Sequence, residues 1–428
     1  MASEHFSNIE SIESSSYVAI DSADPDRPGP GEYMTFFPTF MNILSTLTGV
    51  EVMSVSNSMT FCGFVYSIAM MVFTTILSYI GTIVVITMQK RVRAESINDL
   101  ATKIVGKWGG QAYSTLTLCF TYSCQVAYLI VGAKSVVNWI GMLGYTEWTV
   151  GYRRSLVVLG YALVIPVALS IPRDLEILST VSTAAIGCQV LYISTMIYEA
   201  IKMLPKQGIH ITVESGTMGM QFFNAFAIYS MLYAFPSVVL PLLRCYPPDM
   251  KKRYFLIGAS FVACFSVTII PGSIGYLIWG TETNEIVINS FDPHDPYVQA
   301  VNIAFFLVVN ASFAVVSITV MTDISGIVFR SHQPAKLPFT KRLIALIISD
   351  APPVLVAMIL PNVRPAFEVG GAFGGCLSNF FVPPLLWILQ SDYKWYHWTN
   401  ILMLLFSLFG LVSAAIATYQ AVEEAIAG

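Results

Sequence analysis

Two short stretches concentrate the residues that could do chemistry in an otherwise apolar chain. The first, Ser45-Thr46-Leu47-Thr48-Gly49-Val50-Glu51-Val52-Met53-Ser54, sets a glycine among β-branched neighbours in mid-run, with an acid two residues later. A lone acid at the centre of a membrane helix costs on the order of 3 kcal/mol, so Glu51 is expected to face a cavity. A turn unwound at Thr48, Gly49 and Val50 would free amide and carbonyl groups for a ligand. The alternative is a structural acid bonded to a neighbouring helix. The second stretch, Tyr233-Ala234-Phe235-Pro236-Ser237-Val238-Val239-Leu240-Pro241, holds two prolines. Each removes a backbone donor and frees a carbonyl, which makes Tyr233, Phe235 and Ser237 candidate binding positions.

Other polar residues lie inside apolar runs. Lys134 and Asp350 could pair, which would lower the cost of burying both, or Lys134 could reach an interface; the alternative is a role in coupling. Asn310, Ser312, Ser317 and Thr319 could line a cation site or bond between helices. Gln125, Tyr122 and Tyr128 are candidates for a pocket edge, and Gly370, Gly371, Gly374 and Gly375 for close helix packing. Enzyme chemistry finds less support. No HExxH motif or pair of intramembrane acids on facing helices appears. The five histidines all lie in tails or loops, and the seven cysteines form no CxxC and sit within or beside apolar runs. They read as packed apolar residues rather than metal ligands or disulfides, and no cofactor is expected. No filter-like segment suggests a channel.

These residues must be positioned by membrane helices. Only 11% of the 428 residues are charged against 55% hydrophobic, and the mean hydropathy is +0.67, where a soluble domain needs about a quarter charged. Apolar runs long enough to cross a bilayer fall at 37–61, 64–88, 111–139, 154–172, 176–201, 219–243, 254–280, 298–321, 342–361, 366–389 and 396–420. The expected fold is therefore all-α and membrane-embedded, with about eleven spans in one domain over 37–425. The first 36 residues hold seven acids against Arg27 alone. They read as a disordered acidic tail, able to meet a cytosolic partner, without the basic start of a signal peptide.

Lys and Arg concentrate in the loops after spans 2, 6 and 8, including Lys90, Arg91, Arg93, Lys251, Lys252, Arg253, Lys341 and Arg342. Those loops share one side, so the positive-inside rule predicts a cytoplasmic N-terminus. No basic surface suggests nucleic acid. In the first of these loops, apolar residues at 97, 100, 101, 104 and 105 mark one helical face, with Ser96 as N-cap and Gly106 as C-cap. The two interruptions, in spans 1 and 6, are five spans apart. That spacing points to two inverted halves with a midplane site.

Several stretches together resemble the amino acid/auxin permease family, which includes vesicular, vacuolar and proton-assisted amino acid transporters. Asn42 through Gly63 resembles its first helix without gaps, Gly49 matching the first Gly of its Gly-x-Gly-Ile-Leu-x-Leu-Pro-Tyr run and Val52-Met53 the Ile-Leu. Ser96–Gly110, Ile171–Ser179, Phe235–Pro241, Leu360-Pro361-Asn362, Gly371–Gly374 and Val382–Leu386 resemble later family segments in order. The resemblance implies a LeuT-like five-plus-five inverted repeat with one extra helix. It also implies a secondary transporter of amino acids, whose substrate carboxylate meets amides near Thr48–Val50. Two departures stand out: the family's second Gly is Glu51 here, and its Pro-Tyr is Ser56-Asn57. Glu51 would crowd a bound carboxylate, hold an ammonium, or exchange a proton as substrate arrives. A protonatable acid in the broken span favours H+ over Na+ as coupling ion, with Asn310 and Ser312 as further coupling candidates. Rival readings are a transporter of another small organic solute and a non-transporting amino-acid sensor on the same fold. The membrane is the plasma membrane or a vacuolar, lysosomal or vesicular one.

Overall fold

A computed structural model describes residues 33–427 except Glu95, 172–176, 244–245 and 330–336; the side chains of 177–183, 237, 241, 326, 327 and 427 are also outside the description. The acidic tail to residue 32, the Arg173-Asp174 junction and Cys245 thus lie outside the described residues.

The first span is broken where its sequence runs β-branched, glycine, acid. Helix α1 (Phe36–Leu47) ends as Thr48 leaves helical geometry (φ −98°, ψ 77°) and Gly49 becomes extended (φ −84°, ψ −166°). The chain resumes as a 3-10 turn (Val50–Ser54), the short helix α2 (Val55–Ser58) and a second 3-10 turn (Met59–Phe61). Gly63 then adopts φ 78°, a left-handed conformation that favours glycine, and turns the chain into α3 (Phe64–Val92).

Helix α4 (Ile97–Val105) is the amphipathic segment in the basic loop. The Ser96 hydroxyl accepts from the Asp99 amide at 3.1 Å, and Gly106 (φ 93°) ends it. Ile97, Leu100 and Ala101 are buried, so its apolar stripe lies under the bundle. Next come α5 (Lys107–Met142), α6 (Gly151–Val164), α7 (Pro166–Leu169) and α8 (Ile177–Gln207).

The sixth span divides as well. Helix α9 (Phe222–Leu232) stops at Tyr233 (φ −114°, ψ 24°), and α10 (Pro236–Leu243) restarts with Pro236 at its first position. Proline suits that position because the amide it lacks would have no helical acceptor there. Then follow α11 (Met250–Trp279), α12 (Pro296–Phe329), α13 (Phe339–Ile359) and α14 (Arg364–Gly370). A π-helical stretch (Gly371–Phe381), α15 (Val382–Gln390) and α16 (Trp398–Ala427) complete the chain.

Among the described residues, nine helices are long and apolar enough to cross a membrane, and α1 and α9 are the shorter apolar halves of the two broken spans. Together they make the expected eleven crossings. The glycines of span 10 pack as their composition suggests: a Cβ on Gly371 would strike the Ala227 carbonyl of α9, and one on Gly375 would strike Ser230.

Candidate functional site

A cavity of about 540 Å³ opens where the two broken spans meet α5, α8 and α12. Thr48, Gly49, Val50 and Glu51 line it from the first break, Ala234 and Phe235 from the second. Tyr128 and Cys124 of α5, Gln189 of α8 and Ser312 of α12 complete the inner wall. The cavity continues along α1 and α10 toward the end that carries the basic loops, past Thr46 and Thr319, which are both exposed.

Glu51 is buried to 7% exposure in the turn just past the break. Its carboxylate folds back over Gly49, where a Cβ would overlap it, and lies within reach of the backbone amides of Gly49 and of Glu51 itself. The carbonyls freed by the break are also occupied. Gln189 donates its side-chain amide to the Thr48 carbonyl at 3.3 Å and to the Gly49 carbonyl at 3.4 Å. Its own carbonyl oxygen is buried without a partner.

The opposite end is closed by polar contacts between elements distant in sequence. The Arg364 guanidinium donates to Asn57 Oδ1 at 2.9 Å, pairs with Glu424 of α16 at 3.0 Å, and lies 4.9 Å over the Phe61 ring. Asn57 in turn donates to the Thr283 carbonyl at 2.7 Å. Lys134 pairs with Glu285 at 2.5 Å, and the same carboxylate oxygen accepts the Val363 amide at 3.1 Å. The cavity therefore has one open and one closed end.

Other candidates are placed elsewhere. Lys134 and Asp350 do not pair. Lys134 reaches Glu285, whereas Asp350 accepts from Ser317 at 2.5 Å and from Gln125 at 3.4 Å. The reason is axial: Gln125, which faces Asp350, lies nine residues before Lys134, about 13 Å along α5 at 1.5 Å per residue. Gln125 is thereby withdrawn from the cavity, and Tyr122 bonds to the Ile348 carbonyl at 2.9 Å. Asn310 accepts from Tyr161 at 2.8 Å and donates to the Phe306 carbonyl at 2.7 Å, away from the cavity that Ser312 lines. Residues two positions apart on a helix are about 200° apart around its axis, so Asn310 and Ser312 cannot share a face. Tyr233 is buried against Phe261, ring centroids 5.3 Å apart, and its backbone carbonyl accepts from Asn379 at 2.5 Å. The side chain of Ser237 lies outside the described residues.

Sequence reasoning missed Gln189 as a partner of the broken span and Arg364 as part of the closed end, and met Asn57 only as a departure from the family pattern. Glu368, fully buried on α14, was readable as an acid inside the predicted span 366–389 but was passed over.

Eleven crossings, breaks in the first and sixth, and a cavity between them define a membrane transporter of LeuT-like fold. The chain belongs to the family described as Transmembrane amino acid transporter protein, which matches residues 33–423. It is similar to Sodium-coupled neutral amino acid transporter 7 of Xenopus laevis, 19% identical over 75% of this chain and 73% of that protein. Solute carrier family 38 member 10 of Mus musculus is 21% identical over 81% of this chain, which spans only 32% of that longer relative. Among solved structures, Mhp1, a nucleobase-cation-symport-1 family transporter closed around bromovinylhydantoin, superposes with a TM-score of 0.57 at 12% identity, covering 94% of this chain and 95% of its own. MhsT in complex with L-phenylalanine gives 0.54 at 12% identity, covering 92% and 100%. Likeness at this identity speaks for the fold.

Proposed function

We propose that this protein is a secondary active transporter of amino acids, driven by protons and working by alternating access at the two broken spans. The observation that carries the reading is the cavity where both breaks meet, with freed backbone and a buried acid on one wall. An amino acid's carboxylate would compete with Glu51 for the amides of Gly49 and Glu51, while its ammonium would be drawn to the Glu51 carboxylate. A proton on Glu51 weakens its hold on those amides and clears them for the substrate carboxylate, so binding of substrate and proton become linked. Phe120, Tyr128, Phe235 and Phe305 line the cavity and suit an apolar substrate side chain.

Gln189 favours protons over sodium. Its amide already occupies the Thr48 and Gly49 carbonyls, oxygens of the type a bound sodium ion needs. The excess of Lys and Arg at the cavity's open end supports reading that end, and the N-terminus, as cytoplasmic.

The test is uptake of a labelled amino-acid mixture by the protein reconstituted in liposomes, with and without a pH gradient and with and without sodium. Uptake should rise with the gradient and ignore sodium. Glu51→Gln should still bind substrate yet lose the gradient response. Full pH-driven uptake by Glu51→Gln with an unchanged pH profile would remove Glu51 from the mechanism. Binding without uptake under every gradient would indicate a sensor on the same fold.

A further inference from the structure

We propose that Glu368 is a second proton-binding site, outside the substrate cavity, whose ionisation opens the closed end by drawing Arg364 away from Asn57. The inference goes beyond the transport reading and depends neither on that reading nor on Glu51.

Glu368 is fully buried on α14, and both of its carboxylate oxygens lack a hydrogen-bond partner. A bare carboxylate in such a place is strongly disfavoured, so in this closed arrangement the group carries a proton. Asn224 of α9 faces it, and the Asn224 side-chain oxygen is also buried without a partner. With its side-chain amide turned to present Oδ1, Asn224 accepts a hydrogen bond from the protonated Glu368, and one hydrogen then satisfies both groups.

When that proton leaves, the charged carboxylate needs a cation. Arg364 stands four residues earlier on the same helix, one turn away. Its Nε is buried without a partner, while its two terminal nitrogens hold Glu424 and Asn57. Arg364 thus has an unused donor beside an acid with unused acceptors. Turning the guanidinium toward Glu368 withdraws it from Asn57, in the element just beyond the first break, and from Glu424.

The surroundings reinforce the switch. α14 packs against α5, α9, α16 and the π-helical stretch. Glu424 of α16 and Glu285 of the loop before α12 act on Glu368 as like charges, and Arg364 as an opposite one. Lys134 of α5 is engaged by Glu285, Asn224 is uncharged, and the π-helical stretch contributes no charged side chain, Cys376 being its one titratable group. Arg364 is therefore the cation within reach.

The experiment is hydrogen exchange of the reconstituted protein, corrected for intrinsic exchange rates, in peptides covering 281–295 and 360–366, across about pH 5 to 9. Wild type should be protected at the acid end and lose at least about tenfold protection as pH rises. Glu368→Gln, which keeps a neutral hydrogen-bonding group, should stay protected throughout. Arg364→Lys, which keeps the charge but loses Nε, should also lose the pH response. Wild-type protection that does not change with pH, or a wild-type response in Glu368→Gln, would overturn the proposal. Uptake by the same liposomes separates the two readings. A pH-switched closed end without any uptake would leave Glu368 standing and remove transport, and pH-driven uptake without the switch would do the reverse.

Discussion

Gly49 shows how one missing Cβ shapes the candidate site. Its backbone (φ −84°) is one any residue can adopt, so backbone strain does not require glycine there. Space does: a Cβ would overlap the Glu51 carboxylate. Gly49→Ala should fold and express like wild type yet lose at least about tenfold in uptake, because Glu51 must leave the amides it covers. Thermal unfolding in detergent alongside liposome uptake checks both halves. Wild-type uptake would show that the carboxylate can sit elsewhere without loss. At this scale the sequence marked Glu51 as an acid in need of a cavity, and Glu51 lines one. It was silent on Gln189, because an amide in the middle of α8 looks like any interhelical polar residue until its partners, 140 and 141 positions earlier, are known.

Elements were the most legible level. Proline, glycine and β-branched residues act locally, so both breaks and the Ser96-capped helix could be placed without tertiary information. What holds neighbouring elements together was less visible. Lys202, near the end of α8, bonds to Asp295, just before α12, at 2.8 Å. The hydrogen bond from Lys202 holds the Asp295 carboxyl below the usual aspartate range. A carboxyl depressed in the folded state contributes stability that is present above its unfolded pKa, about 4, and is lost as pH falls through the folded value. The ammonium is partly exposed, so the contribution is modest and screened by salt. Asp295→Asn should therefore lower the unfolding temperature slightly at neutral pH and by less in acid. Melting curves from neutral pH to about pH 3, at low and high salt, check this. A difference that grows in acid would contradict the assignment.

For the whole molecule, the cavity is open at one end and closed at the other. Cys188 of α8 lines it and is partly exposed. A membrane-impermeant maleimide applied from the side of the basic loops should label Cys188, and saturating substrate should slow the reaction several-fold. Applied from the other side, the same reagent should leave it unmodified while the closed end holds. Mass spectrometry of the labelled peptide, with Cys188→Ser as control, reads the result. Equal labelling from both sides would refute a single open end. The polar contacts that close the far end join residues as distant as Asn57 and Arg364, so no local pattern could have shown them.

Membrane residence, eleven crossings, the position of both breaks and the amphipathic helix were determined by the sequence alone. Each follows from the length of an apolar run, the backbone chemistry of proline and glycine, or one-face periodicity. Only the tertiary structure decided which side chains meet: Lys134 with Glu285, Asp350 with Ser317, Gln189 with the opened carbonyls, and Glu51 over Gly49. The physical reason is that a helix in lipid is apolar on its outer and inner faces alike. Composition therefore says that the helix crosses but not how it is rotated, and the partners of its few polar residues depend on that rotation.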